Sequence, residues 1–120
     1  MSFAVIGAIA GLGALGSLCR ALVQGIWAEH ERIPFFWGTL VVNISGAFAL
    51  GMLHGAGVHG TALRLAGAAF LGAFTTFSGW MIETKRLSAE AKGIAFAYIF
   101  GALVVGVLAT WLGNALGTLL

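Results

Sequence analysis

Charge is scarce in this chain. Of its 120 residues six are Lys or Arg and four are acidic, so 8% carry charge, against roughly 25% in an ordinary soluble domain. Ten charges cannot coat a water-soluble globule of this size. With 60% hydrophobic residues and a mean hydropathy of +1.02, the solvent for most of the surface must be lipid. The net charge of +2 and the pI near 9.2 come from scattered groups without a basic face, which excludes a nucleic-acid footprint. Cysteine is nearly absent as well. Cys19 alone allows neither an intrachain disulfide nor a cysteine metal cluster, and within its apolar run it reads as a small packed hydrophobe.

What is present is long apolar sequence. Crossing a ~30 Å hydrocarbon core takes about 20 apolar residues, and four stretches qualify: 3–27, 33–53, 65–82 and 93–116. Charges fall between them, with Glu29, Glu31 and Arg32 in the first loop and Arg64 after the second. Glu83, Lys85, Arg86, Glu90 and Lys92 follow in the third. Pro34, the only proline, opens the second span, where a missing N–H costs little. Trp27 and Trp37 bracket the first loop as interfacial aromatics do. No basic residue precedes the first apolar run, and Leu18 sits where a lipoprotein signal needs a small residue. The first span is therefore expected to be retained. A four-to-one excess of Lys and Arg predicts that loops one and three face the cytoplasm. Nineteen glycines, with GxxxG pairs at Gly7 and Gly11, Gly51 and Gly55, and Gly113 and Gly117, predict close helix packing.

Enzyme chemistry has no visible support. Gly11, Gly13 and Gly16 spell GxGxxG, but that fingerprint needs a preceding strand, and helix packing is the better reading. His30, His54 and His59 lie in turns, too few to build a metal site. The carboxylates are read as loop-end groups, with no mid-span pair.

Polar features inside the spans say more. Arg20 either snorkels toward the interface or lines an aqueous vestibule. Asn43 shares a helical face with Thr39 and Gly46, and its amide, which lipid cannot satisfy, serves as interhelical glue or as pore lining. The segment GAFTTFSGW, 72–80, combines glycines, β-branched threonines and a serine, which make a poor continuous helix. It is either a break, of the kind that binds ions in membranes, or a weakened but intact helix.

Taken in order, these residues resemble the Fluc (CrcB) family of fluoride channels over essentially the whole chain. Gly13-x-x-Gly16-x-x-x-Arg20 is similar to the family's first-helix motif. Gly38-Thr39-Leu40-x-x-Asn43-x-x-Gly46 is similar to its second, and Gly72-x-Phe74-Thr75-Thr76-Phe77-Ser78 to its third-helix break. The resemblance implies an all-α membrane protein that pairs with itself, or with a paralogous subunit, as an antiparallel dimer with two fluoride pores. It also implies a structural sodium ion held by the main-chain carbonyls of Gly72 and Thr75. Asn43 would line the pore, with Arg20 near the anion's way in and Phe77 flanking the path. Thr76 and Ser78 would supply or adjoin a polar track, Glu83 would lie near the pore end, and Tyr98 would be a pore tyrosine of the fourth helix.

Two residues depart from the family pattern. Trp80 stands where the family has a second phenylalanine, and Gly79 where it has a threonine. The implied function is passive export of cytoplasmic fluoride across a prokaryotic plasma membrane. The rivals are one subunit of a heteromeric fluoride channel and a small proton-coupled multidrug exporter. The exporter relies on a carboxylate in the first helix, and 3–27 contains none.

Overall fold

The computed structural model describes residues 1–28 and 36–120. Glu29, His30, Glu31, Arg32 and Pro34 lie outside the described residues. Four helical stretches are long and apolar enough to cross a membrane. The first is α1, Phe3–Ala28, whose start is capped by the Ser2 hydroxyl accepting the Val5 N–H at 3.3 Å. The second is α2, Trp37–Gly55. A turn through Gly57 and Gly60, at φ of 78° and 62°, leads onward, and such angles suit glycine because it has no Cβ.

The third span is composite. It runs from α3, Gly60–Leu63, through a π-helical segment, Arg64–Leu71, into the short α4, Gly72–Phe74. Thr75 (φ −85°, ψ 162°) and Thr76 (φ −142°, ψ 124°) are then extended, and α5, Phe77–Glu90, resumes the helix. After an extended Ala91, α6, Lys92–Gly117, forms the fourth span.

The third stretch is longer than the expected 65–82, reaching Glu90. Hydropathy marks where lipid ends, whereas a helix continues wherever its backbone bonds close. Glu83 therefore lies inside a helix, which corrects its reading as a loop-end carboxylate.

Small residues set the packing. A Cβ on Gly51 or Gly55 would run into the carbonyls of Thr110 and Asn114, and one on Gly113 or Gly117 into those of Phe48 and Met52. The two GxxxG pairs thus face each other, bringing α2 and α6 into backbone contact. Gly16 of α1 meets the Phe70 carbonyl of the π-helical segment in the same way, so the last glycine of the GxGxxG string serves helix packing. Gly7 and Gly11 would meet nothing within 4 Å and take no part. The α5–α6 contact is instead a cluster of Leu87, Ala95 and Tyr98, with Phe36, Leu40 and Trp80 around it. Large apolar side chains such as Phe3 and Trp111 point outward, as the lipid reading requires.

Candidate functional site

The extended pair Thr75–Thr76 organises the site. In an unbroken helix the Thr76 N–H would bond to the Gly72 carbonyl, four residues back. It donates instead to Asn43 Oδ1 at 2.8 Å, while Asn43 Nδ2 donates to the Thr76 carbonyl at 2.9 Å. The Gly79 N–H, which would otherwise close on the Thr75 carbonyl, donates to Thr76 Oγ1 at 3.0 Å and caps α5. Both the Gly72 and the Thr75 carbonyl thereby lose their helical partner. The absent side chain at Gly79 helps, since a Cβ there would sit 3.1 Å from Thr76 Oγ1 and Cγ2.

Arg20 reaches this place. Its Nη1 donates to the Thr75 carbonyl at 3.3 Å. The guanidinium is thus turned to a freed backbone acceptor.

A second polar group lies in the same bundle. Gln24 Nε2 donates to Thr39 Oγ1 at 3.1 Å, and that hydroxyl donates to Glu83 Oε1 at 2.8 Å. The Tyr98 hydroxyl donates to Glu83 Oε2 at 2.6 Å. Side chains of α1, α2, α5 and α6 are therefore joined in one run of hydrogen bonds through the Glu83 carboxylate, Gln24 reaching it by way of Thr39. Thr39 and Tyr98 are each 1% exposed, so the group is an interior one. Gln24 was missed by the sequence reading. The signal that could have found it is its position four residues after Arg20, on the same face of α1.

Trp80 borders both groups, packing on the Tyr98 cluster and lining the cavity with Asn43. Phe77 and Trp80 are nearly perpendicular at 81°, with centroids 5.9 Å apart. Trp80 and Asn43 share the wall of an open cavity of about 720 Å³, whose lining also takes in Gly72, Thr75, Thr76 and Phe77. Phe77 is 69% exposed, and Ser78 is exposed beside it. Gly72 is open too, since a Cβ there would meet only the Gly67 carbonyl, at 3.8 Å. The site brings together Arg20, Asn43, Thr75, Thr76, Phe77 and Trp80. Glu83 and Tyr98 form the neighbouring group, while Ser78 faces outward.

Among the described residues no three of His, Cys, Asp and Glu cluster to hold a metal. His54 pairs with Asn114 Oδ1 at 2.9 Å, and His59 lies 2.9 Å from the Gly57 carbonyl, both at the surface.

Residues 7–114 match the family model described as CrcB-like protein, Camphor Resistance (CrcB). The chain belongs to the CrcB family. It is 46% identical over 112 residues to a protein of Mycolicibacterium paratuberculosis named fluoride-specific ion channel FluC 2, covering 92% of each chain. A protein of the same name from Clostridium acetobutylicum is 34% identical over 108 residues, covering 89% of this chain and 92% of its own. Fluoride-specific ion channel FluC 1 of Rubrobacter xylanophilus is 44% identical over 105 residues, covering 85% and 84%. The CrcB match takes in every residue of both polar groups, from Arg20 and Gln24 to Tyr98.

Proposed function

We propose that the chain is a passive, fluoride-selective channel, not an enzyme, that lets the anion leave the cytoplasm. One observation carries this reading: the likeness to proteins named fluoride-specific ion channels runs over about nine-tenths of the chain. The geometry agrees with it. Fluoride is small and strongly hydrated, so a selective path must replace its water with several weak donors. Conduction needs binding strong enough to admit the ion and weak enough to release it. Asn43, Thr76 and the positive ring edges of Phe77 and Trp80 meet that need, whereas a lysine would hold the ion. Arg20, pinned to the Thr75 carbonyl, adds a positive field without closing on the anion.

The open cavity and the exposed Phe77 and Gly72 support assembly with a second copy, as an antiparallel homodimer. A paralogous partner is the competing arrangement, and the numbered names of the relatives are compatible with it. The carbonyls of Gly72 and Thr75, freed when the Thr76 and Gly79 N–H groups turned to Asn43 and Thr76 Oγ1, suit a hard cation such as sodium. When bound, sodium would supply a central positive charge and tie two interrupted helices together. The Thr75 carbonyl has two lone pairs, so a donor from Arg20 does not exclude it. The cell membrane of a prokaryote is the setting this function requires, because hydrogen fluoride enters neutral and dissociates inside.

The test is reconstitution of this chain alone in liposomes. Fluoride efflux is expected and chloride efflux is not. Fluoride efflux no faster than from empty vesicles would reject the channel built from one kind of subunit. Efflux that appears only with a second, related chain would establish the paired form.

A further inference from the structure

Among the described residues, one buried side-chain polar atom has no hydrogen-bond partner: Trp80 Nε1. Such orphans are few in native proteins, since a buried N–H left unbonded is costly, and each asks for an explanation. Trp80 also stands at a crossing. It borders the cavity of about 720 Å³ and a second cleft of about 220 Å³ toward α6, and Asn43 and Ala47 border both. On its other side it packs against the Tyr98 cluster, whose hydroxyl is bound to Glu83. Nearby, one Asn43 N–H is held on the Thr76 carbonyl, and the Thr39 and Tyr98 hydroxyls on the Glu83 carboxylate.

We propose that the indole N–H of Trp80 is a hydrogen-bond donor to the permeating anion, so that this position binds fluoride through N–H rather than through a ring edge alone. The proposal rests on the fluoride-channel reading and deepens it at one residue. An N–H donor makes a charge-assisted bond to an anion, stronger than any a C–H edge provides. Fluoride, with its concentrated charge, gains more from that donor than chloride does. The position therefore raises affinity and discrimination together, at some expense in release rate.

The experiment uses the purified full chain with ¹⁵N-labelled tryptophan, the Trp80 indole signal being assigned by its loss in Trp80→Phe. On titration with sodium fluoride that signal should shift, and on titration with sodium chloride it should not. In liposomes, the fluoride concentration giving half-maximal flux should rise about tenfold in Trp80→Phe, the loss of one hydrogen bond to a charged group. If none of the four tryptophan indole signals responds to fluoride, or each that does is shifted equally by chloride, the proposal is overturned even if Trp80→Phe fails to fold. A folded Trp80→Phe with unchanged half-maximal concentration overturns it too. In both cases fluoride flux through the unmodified chain leaves the channel reading standing. If the unmodified chain carries no fluoride, either alone or with a related second chain, both readings fall.

Discussion

Asn43 and Thr76 exchange two hydrogen bonds, one in each direction, at 2.8 and 2.9 Å. The pattern is that of two paired strand residues, except that a side-chain amide on one helix plays the part of the second backbone. Asn43 is thus glue for the extended pair and also borders the open cavity.

We predict that Asn43→Asp harms the protein twice. A carboxylate still accepts from the Thr76 N–H but faces the Thr76 carbonyl with no donor, which should cost about 1–3 kcal/mol. Its charge would also repel an anion in a narrow, low-dielectric path, lowering flux at least ~tenfold. Thermal unfolding in detergent reads the first effect and liposome efflux the second. Normal conduction by a folded Asn43→Asp protein would remove Asn43 from the path.

Glu83→Gln is expected to loosen the four-helix junction. The carboxylate accepts from both Thr39 and Tyr98, and bonds to a charged acceptor contribute about 1.5–3 kcal/mol each. A neutral amide keeps one acceptor and turns the other into a donor. A double-mutant cycle with Tyr98→Phe should show positive coupling in thermal stability, whereas strict additivity would mean that the two side chains act separately.

Glycines of the same spacing should differ sharply in tolerance. Gly113→Ala drives a Cβ into the Phe48 carbonyl, which is backbone and cannot swing aside, so folded yield in detergent should fall. Gly7→Ala meets open space and should behave as the unmodified chain. Equal yields from the two variants would show that α2 and α6 do not pack this closely.

Thr75→Ala and Gly72→Leu separate backbone from bulk. Thr75→Ala removes the bond from Thr75 Oγ1 to the Leu71 carbonyl, 3.0 Å, and keeps the main-chain carbonyl, so assembly should persist. Within this chain Gly72 is not crowded, since a Cβ there would meet only the Gly67 carbonyl, at 3.8 Å. If a second copy presses there, Gly72→Leu should fold but run as a monomer. Size-exclusion chromatography with and without sodium decides, and a functional Gly72→Leu dimer would remove the cation site from this place.

Much of the fold was legible because lipid leaves few options. Nine of the ten charges fall between the apolar runs and mark the spans directly, and Trp27 and Trp37 fall in the last turn of α1 and the first of α2. The third helix runs on past the apolar stretch to Glu90 because Glu83, Lys85 and Arg86 lower hydropathy without breaking backbone bonds. Partners were less legible than places. The sequence puts Arg20 and Asn43 inside spans, but only tertiary packing aims Arg20 at the Thr75 carbonyl and Asn43 at both Thr76 groups. The same holds for Thr39, whose hydroxyl meets a carboxylate 44 positions away.

The facing glycines of α2 and α6 have a consequence for biogenesis. Gly51 and Gly55 enter the membrane early, yet the backbone they press against belongs to the last span, with the whole third span between. Until Lys92–Gly117 has been inserted, that groove faces lipid, and the firmest joint of the protomer is still open. A chain stopped before Lys92 is therefore expected to insert but to be cleared quickly by membrane proteases, with a pulse-chase half-life well below that of the complete chain. Quality control of this small protein would then rest on its final helix, which acts as the latch.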